Sequence, residues 1–273
     1  MTSSIDVIAW GIAGSVRDAG RPGRAAWGAS RGGAVDLASL ALANRLVGNP
    51  AHCAGIECSG GLHLRIGGGA VMVAVAGALA PIDVVGGPPI GWGAPVILPA
   101  DATVRFGRLV EGARVYLAVR GGLGPAPAGD RAGDPAQLDV GPDPGTPAAG
   151  DAAPRRSPPD RIRLWPGPRL HWFDDEAWNT LTSARFVVSP SSDRVGMRLV
   201  GPVLRRSVLD ELLSEGMVEG AVQVPPDGQP IVMLADHPVT GGYPVIAVVD
   251  PRDLGHLAQL PAGTQARFTT LRS

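Results

Sequence analysis

Gly112-Ala-Arg-Val-Tyr-Leu-Ala-Val-Arg-Gly-Gly122 shows the pattern that decides the fold of this chain. A short valine-rich run, Arg114 to Val119, lies between glycines that favour turns. Its β-branched side chains suit a pleated, half-buried surface. The 39 glycines and 27 prolines of the chain divide most of the remaining sequence in the same way. The sequence therefore predicts a mainly β fold of many short strands joined by turns.

Other apolar runs share this length and composition, and we predict that they are strands as well. They are Val71 to Ala76, Arg161 to Leu164, Arg185 to Val188, Ala221 to Val224, Ile231 to Leu234, Val245 to Val249 and Gln265 to Phe268.

A few short helices are predicted where apolar residues recur at helical spacing next to a capping residue. They are Leu37 to Val47 between Asp36 and Gly48, a segment through Trp178 and Leu181 that Asp174 or Asp175 caps, and Arg252 to Gln259 after Pro251.

The apolar periodicity stops between Gly121 and Asp160, where nine prolines and eight glycines fall within forty residues. Such a composition is typical of a long loop or linker. We therefore predict an N-terminal β-rich portion with one helix at 1–120, a loop or linker at 121–160, and a C-terminal β-rich portion at 161–273.

Charge and residue usage exclude several chemistries. The formal net charge is −1, which disfavours general binding to nucleic acid or to an anionic membrane surface. All 24 basic side chains other than histidine are arginines. A chain without lysine cannot carry biotin or lipoate, form a lysine Schiff base, or supply the lysine of a phosphate-binding loop. Any biotin must therefore lie on a separate carrier.

Features that the sequence lacks indicate where the protein is located and whether its cysteines are oxidised. The N-terminus has no basic segment followed by an apolar core, and no run approaches the roughly 20 apolar residues that span a bilayer. Two cysteines, Cys53 and Cys58, form no disulfide framework. We expect a cytoplasmic protein.

Several stretches, in one order along most of the chain, carry a resemblance to a known family. They are Ser15–Arg24, Gly33–Asp36, Ala43–Pro50, Ile56-Glu57, Gly112–Gly122, Ser192–Pro202, Ser214–Pro225, Asp227–Pro230, Ala235-Asp236, Gly241–Pro244 and Gln259. The chain resembles the family of 5-oxoprolinase C subunits, also described as allophanate hydrolase subunit 2 or biotin-dependent carboxyltransferase.

The resemblance implies a cyclophilin-like β-barrel in the C-terminal portion and a 5-oxoprolinase B subunit as partner. It also implies ATP-dependent opening of 5-oxoproline to glutamate with a third subunit, so the chain is not expected to be active alone. Two alternatives stay open. One is the carboxyltransferase component of a biotin-dependent urea or amide carboxylase, because similar domains occur in urea carboxylase. The other is a non-catalytic regulatory subunit that binds a kinase inhibitor, because some members are antagonists of one.

The chain departs from the family pattern after Gly121-Gly122. Members usually have Leu-Gly-Ser-x-Ser-Thr there, whereas Leu123-Gly124 continues into Pro125-Ala-Pro-Ala. The missing hydroxyl groups keep the regulatory alternative open, and they also allow a change of specificity.

Asp18, Arg21 and Arg24 lie in a glycine-rich loop and are candidate substrate-binding residues. A planar guanidinium binds a carboxylate or phosphate at two points, and glycine lets the backbone approach a ligand. The alternative is an internal Asp–Arg pair that holds the loop.

Asn44 and Glu57 are further candidate substrate-binding residues. Asn44 lies on the inward stripe of the first predicted helix, where its amide must find partners and could tie a loop to the helix. Glu57 follows Ile56 in a run of small residues. A partly buried carboxylate there could act as a base or pair with an arginine.

The C-terminal half supplies the candidate catalytic residues, which are polar side chains near glycine-containing turns. They are Arg194, Arg198, Glu215, Gln223, Asp236 and Tyr243, with Asp193 and His237 beside them. The arginines could stabilise an anionic intermediate, and Gln223 could point from its strand into the same cleft. The alternative is that these groups only satisfy the turns.

Two other site classes receive little support. The spacing of His52, Cys53, Cys58 and His63 matches no standard metal signature, so no metal is expected. The sequence also lacks Gly-x-Ser-x-Gly, which argues against a conventional serine hydrolase.

Overall fold

The computed structural model describes residues 3–124, 135–155 and 157–271. They divide into two compact units. The first unit consists of Met1–Ala19 and Asp36–Arg156, and the second of Gly20–Val35 and Ser157–Ser273. Residues 20–35 are thus inserted in the sequence of the first unit but belong to the second.

The first unit has two five-stranded sheets, with strand orders β10-β1-β4-β8-β6 and β2-β3-β9-β5-β7. The strands are β1 (Ser4–Ala9), β2 (Ser15–Arg17), β3 (Gly55–Cys58), β4 (His63–Gly67), β5 (Val71–Leu79), β6 (Ile82–Val84), β7 (Val96–Leu98), β8 (Thr103–Phe106), β9 (Glu111–Val119) and β10 (Ala136–Asp139).

Alternating side chains bury the core of the first unit. In β4, Leu64 and Ile66 are buried while Arg65 between them is exposed, as a strand with one covered face requires. Ile66 and Val73 belong to one buried apolar cluster. Each fully buried side chain of this size contributes about 1.5–3 kcal/mol of transfer free energy.

The first predicted helix is confirmed as α1 (Leu37–Leu46). Asp36 caps it, since its Oδ1 accepts a hydrogen bond from Ser39 N at 3.1 Å. Gly48 follows with φ of 77°, which a residue without Cβ adopts at low cost. Of the predicted inward face, Leu40 is buried, whereas Leu37 at the first turn is exposed.

The second unit is built on a closed seven-stranded barrel in the order β11-β18-β15-β16-β13-β12-β19. Its strands are β11 (Ile162–Pro166), β12 (Arg185–Val188), β13 (Gly196–Val200), β15 (Ala221–Gln223), β16 (Ile231–Met233), β18 (Val245–Val249) and β19 (Gln265–Thr270). A separate pair consists of β14 (Glu215–Gly216) and β17 (Thr240–Gly241). The prediction of a mainly β fold with a barrel is confirmed.

The predicted helices of the second unit are present, one capped by an aspartate and one opened by a proline. Asp174 caps α2 (Asp175–Ser183) by accepting from Ala177 N at 2.8 Å. Pro251 opens a short 3-10 turn that continues into α3 (Leu254–Ala258), so this helix is shorter than the predicted segment.

The stretch predicted as a loop or linker contributes to the first unit. Ala136–Asp139 forms β10, which pairs antiparallel with β1. Beyond it, Asp143 receives two hydrogen bonds from Arg120, at 2.9 and 2.7 Å. The sequence indicated β10 only weakly, because this strand has only four residues and lies between prolines and glycines. The altered stretch that begins at Pro125 lies outside the described residues.

No helix in the described parts of the chain has the length and apolar character needed to cross a membrane.

Candidate functional site

The arginine-rich segment Gly20–Val35 is attached to the second unit by backbone and side-chain bonds. Gly32 N donates to Ala235 O at 2.9 Å. Arg31 binds Glu219 at two points, with Nε 2.7 Å from Oε2 and Nη2 2.8 Å from Oε1. Two-point binding of a carboxylate fixes the guanidinium in one plane. The segment is therefore held at both Arg31 and Gly32.

A glycine allows this segment to fold back on itself. Gly20 has φ of 80°, and a Cβ there would lie 2.5 Å from Arg31 O. The next residue, Arg21, donates its N–H to Arg31 O at 2.6 Å. No L-residue with a Cβ fits so close to a carbonyl oxygen, so the turn that places Arg21 requires glycine.

Arg194 and Asp236 form the central ion pair of the site. Arg194 Nε is 2.8 Å from Asp236 Oδ2, and Nη2 is 3.2 Å from Oδ1. The same Nη2 donates to Gly33 O at 2.5 Å. Arg194 therefore joins the Asp236 turn to the inserted segment, and both predicted residues have an internal structural role.

Arg21 lies at the edge of this pair. A Cβ built on Gly32 would be 3.6 Å from Arg21 Nη2 and 3.8 Å from Asp236 Oδ1. Arg21 is exposed. Among the residues that the structure describes, its guanidinium makes no hydrogen bond or ion pair, although its backbone is fixed. It is a cation that is free to bind an anion beside a glycine backbone.

The three residues of the predicted N-terminal anion site do not all lie in one unit. Arg21 and Arg24 belong to the second unit, and Asp18 belongs to the first. Arg24 is exposed and precedes a short 3-10 turn, Ala25–Trp27. Within the second unit, it is Asp236 that lies next to Arg21.

A second cluster of polar side chains lies at the β14–β17 pair. Glu215 is bound by Arg169 through both guanidinium nitrogens Nε and Nη2. The Arg169 guanidinium also lies 5.5 Å from the centre of the Trp172 ring. Glu215 thus has an internal partner that the sequence did not indicate.

Gln223 is buried on β15 and donates from Nε2 to Tyr243 O at 3.1 Å. Gly241 makes room for it, because a Cβ there would be 2.5 Å from Gln223 Nε2. Tyr243 contributes its backbone to this contact, while its side chain is exposed. The structure therefore brings Gln223 and Tyr243 together.

Arg198 is exposed on β13, between the buried Met197 and Leu199. Its side chain makes no hydrogen bond or ion pair within the described ranges. Asp193 is used by the preceding turn, since its Oδ1 accepts from Val195 N and Gly196 N. These two predicted residues are not hydrogen-bonded to the Arg194–Asp236 pair.

Glu57 belongs to a buried cluster of the first unit. Tyr116, fully buried on β9, donates to Glu57 Oε2 at 2.8 Å and accepts from Asp36 N at 2.9 Å. Arg114 Nε is 3.6 Å from Glu57 Oε1. Burial, and then the nearby charges of Glu57 and Asp36, raise the pKa of Tyr116 well above its usual value. Local sequence did not single out Tyr116, because all residues from Val115 to Val119 are buried and strand alternation places Tyr116 on the face opposite Val115 and Leu117.

Asn44 ties a loop to α1, which is one of the two roles predicted for it. Its Nδ2 donates to Cys53 O at 2.7 Å, and its Oδ1 accepts from Asn49 Nδ2 at 3.0 Å. Both ends of the buried amide are therefore used inside the first unit.

His237, which follows Asp236, is buried. Its Nδ1 is 2.7 Å from Pro238 O. A carbonyl can only accept, so Nδ1 is the donor in this contact.

Within residues 3–124, 135–155 and 157–271, no three His, Cys, Asp or Glu side chains are grouped to hold an ion. Burial raises the pKa of the Cys58 thiol to about 11, which disfavours the thiolate.

The chain was compared with known proteins. The profile described as "Carboxyltransferase domain, subdomain A and B" matches residues 27–136 and 126–270. The chain belongs to this carboxyltransferase domain family. Over 283 aligned residues it is 34% identical to the C subunit of 5-oxoprolinase from Escherichia coli K12, with 97% of this chain and 90% of that protein covered.

Solved structures of longer chains share the fold of this chain. The crystal structure of TTHA0988 has a TM-score of 0.86 and 36% identity, with 98% of this chain covered. This chain spans 55% of TTHA0988, about half its length. The urea amidolyase of K. lactis has a TM-score of 0.86 and 25% identity over 98% of this chain and 19% of its own.

Proposed function

We propose that this chain is the C subunit of an ATP-dependent 5-oxoprolinase complex, which opens 5-oxoproline to glutamate together with a B subunit and a third subunit. The observation that carries the proposal is the 34% identity to the C subunit of E. coli 5-oxoprolinase over 97% of this chain. In the proposed reaction water adds to the lactam carbonyl carbon, the C–N bond breaks, and the nitrogen takes up a proton. We propose that the chain is inactive without its partners.

Arg21 is the residue that we propose to bind the substrate carboxylate. Its guanidinium is exposed, and its backbone is fixed by the 2.6 Å bond to Arg31 O. A free guanidinium can bind a carboxylate at two points. Asp236 does not prevent this, because Arg194 already neutralises its charge. Arg24, exposed four residues after Gly20, adds positive charge to the same segment.

The described residues of this chain do not fit ATP. Asp36 and Asp174 cap the longer helices α1 and α2, and each carboxylate accepts from a first-turn amide and would repel a phosphate there. The chain also has no lysine for a phosphate-binding loop. We therefore propose that ATP binds to another member of the complex, and we assign no ATP step to residues of this chain.

A second function is favoured by the family description and by the K. lactis urea amidolyase, which shares the fold at a TM-score of 0.86. It is carboxyl transfer to urea or a similar amide. In that case the biotin lies on a separate carrier, because this chain has no lysine. The regulatory alternative, binding of a kinase inhibitor, stays a prediction.

The test is reconstitution. The chain is combined with its B subunit homologue and a third subunit, and glutamate and phosphate are measured with and without 5-oxoproline. We expect 5-oxoproline-dependent release of both products by the full set and none by this chain alone. If the assembled complex releases neither, the 5-oxoprolinase assignment is wrong. Carboxylation of urea in the presence of a biotinylated carrier would then support the second function.

Arg21→Gln tests the proposed carboxylate contact in the same assay. We expect KM for 5-oxoproline to rise at least about tenfold, because the charge-assisted two-point contact is lost. Arg185→Gln is the matched control, since Arg185 is an exposed arginine of the same unit on β12. An unchanged KM in Arg21→Gln would contradict the role of Arg21.

A further inference from the structure

Residues 207–214 of the second unit form an exposed loop that carries two solvent-facing leucines. Leu209 is 82% exposed and Leu213 is 88% exposed. The loop is neither helix nor strand. Within the described part of the chain, no backbone N–H from Leu209 to Ser214 makes a backbone hydrogen bond. Both the apolar side chains and the backbone donors of this loop are therefore left to solvent.

The sequence of this loop is nevertheless that of an amphipathic helix. Its apolar residues are Val208, Leu209, Leu212 and Leu213. At about 100° per residue they would all lie within one stripe about 140° wide. Ser207 precedes this stripe and Asp210 follows it by three residues, a spacing typical of a helix N-terminus. The local pattern thus favours a helix that the structure does not contain.

The free chain lacks what such a helix needs. A helix of about two turns is unstable by itself in water, because nucleation costs more than so few hydrogen bonds return. It becomes stable only when its apolar stripe is covered. The exposure of Leu209 and Leu213 shows that this chain does not cover them. The helix therefore requires apolar surface from another molecule.

The ends of the loop are fixed in a way that allows a helix between them. Ser207 N and Val208 N both donate to Trp172 O, at 2.9 and 3.2 Å. These amides would belong to the N-cap and the first turn, which have no partner inside a helix, so both bonds can stay. At the other end, Arg169 binds the Glu215 carboxylate. Fixed ends lower the entropy cost of ordering the loop.

We propose that residues 208–214 fold into a helix when the chain binds its B subunit, and that Leu209 and Leu213 then enter an apolar groove of that subunit. The inference rests on the proposed function for the identity of the partner. Asp210 and Glu211 are exposed, and in the helix they would lie outside the apolar stripe. Their charge requires basic side chains at the border of the groove and disfavours an anionic membrane surface as the occupant.

The first experiment follows the backbone of the loop during complex formation. In the isotope-labelled full chain, the ¹³Cα shifts of residues 208–214 distinguish coil from helix. We expect coil values in the free chain and helical values after addition of the unlabelled B subunit homologue. A saturated complex in which the loop keeps its coil shifts overturns the inference and leaves the proposed reaction intact. If the homologue does not bind at all, the inference and the proposed partnership both fail.

Leu209→Asp and Leu213→Asp test the apolar contact by titration with the B subunit homologue. We expect the Kd to rise at least about tenfold in each variant, because a carboxylate is costly to bury in an apolar groove. The unfolding midpoint of the free chain should not change, since both side chains are exposed. Val110→Asp is the matched control, because Val110 is 71% exposed on the first unit. Equal Kd values in the three variants overturn the inference.

Glu211→Ala and Glu211→Gly separate helix formation from side-chain contacts, because both changes remove the same carboxylate. We expect the glycine variant to bind the B subunit homologue about fivefold more weakly, as its lower helix propensity requires. Equal binding of the two variants contradicts folding of the loop.

Sedimentation of the free chain tests a second copy as the occupant. We expect a monomer. Self-association that Leu213→Asp abolishes would assign the leucines to a contact between copies and overturn the inference.

Discussion

Arg194 and Asp236 are joined at two points, and the Arg194 nitrogen Nη2 that binds Asp236 Oδ1 also donates to Gly33 O. One guanidinium thus connects a turn of the C-terminal sequence with a segment that lies 161 residues earlier. The pair is mostly buried, with 14% and 30% of the two side chains exposed. Its bonds are therefore less screened than those of a surface pair.

Arg194→Gln should destabilise the second unit by about 2 kcal/mol, because hydrogen bonds to charged groups contribute about 1.5–3 kcal/mol. Urea denaturation at pH 7 measures this free energy of unfolding. Asp160→Asn is the control, since Asp160 is 77% exposed and pairs with Arg267. We expect less than about 1 kcal/mol there. Equal losses in the two variants would contradict the structural role of Arg194.

Tyr116→Phe should destabilise the first unit by about 2–3 kcal/mol. The change removes the donor to Glu57 and the acceptor for Asp36 N, both in a buried setting where lost partners cost about 1–3 kcal/mol each. Chemical denaturation measures this change in the free energy of unfolding. Tyr243→Phe serves for comparison, because that side chain is exposed and should change stability by less than about 0.5 kcal/mol. A loss in Tyr116→Phe no larger than in Tyr243→Phe would show that the Tyr116 hydrogen bonds contribute little.

The raised pKa of Tyr116 predicts a loss of stability in alkali. The folded state holds the Tyr116 proton more tightly than the unfolded state does, so the stabilisation is complete below about pH 10, the ordinary tyrosine value. It declines as the pH rises from there towards the folded-state pKa. In Tyr243→Phe, Tyr116 is the remaining tyrosine of two. At about pH 10.5 we expect tyrosinate absorbance only after unfolding in denaturant; absorbance in the folded protein would contradict burial.

Asp253 should contribute stability that is lost in acid. Burial opposes its ionisation, but three hydrogen bonds from Arg163 outweigh this and lower the pKa of Asp253. A depressed pKa means that the stabilisation is present above the unfolded value of about 3.9 and is lost as the pH falls through the folded value. Asp253→Asn should cost about 3 kcal/mol at pH 7. Denaturation at a series of pH values should show that the difference in unfolding free energy between the unsubstituted protein and Asp253→Asn shrinks below about pH 4. A difference that does not change with pH would contradict the coupling of stability to ionisation of Asp253.

Gly241→Ala and Gly167→Ala should differ sharply in stability. At Gly241 the added Cβ meets Gln223 Nε2 at 2.5 Å and Met217 Cε at 2.6 Å, the ends of flexible side chains that can move. At Gly167 it meets the backbone at Ala247 N and Ile246 C, both 2.6 Å away. We expect a loss of about 1 kcal/mol in the first variant and more than about 3 kcal/mol in the second, measured by denaturation. The reverse order would contradict the packing of Gly241.

Local sequence was sufficient where a strand is mostly apolar and rich in valine. Arg185–Val188 and Val245–Val249 have the predicted bounds. It failed for strands such as Ile82–Val84 and Ala136–Asp139, which each include an aspartate among three or four residues and pair with strands distant in the sequence. Backbone pairing supplies their stability, and a pattern of so few side chains does not reveal it.

The candidate site was predicted only in part for the same reason. Glycine and arginine in the segment after Gly20 indicated an anion site, and Gln223 was expected to point inward. The partners of Arg31, Arg169 and Tyr116 were not predicted, because each is far away in the sequence. The continuous apolar run of β9 is typical of a strand buried on both faces, but it does not place Tyr116 beside Glu57.

Composition, short-range spacing and ordered motifs are enough to predict the mainly β class, the capped helices, the lack of lysine-based chemistry and the family resemblance. The folded structure adds that residues 20–35 join the second unit and that Asp236 neutralises Arg194 while Arg21 stays open. It also shows that Gln223 Nε2 and His237 Nδ1 donate to backbone carbonyls. The physical reason is that a side chain's availability depends on which distant groups already satisfy it, and chain closure sets those partners.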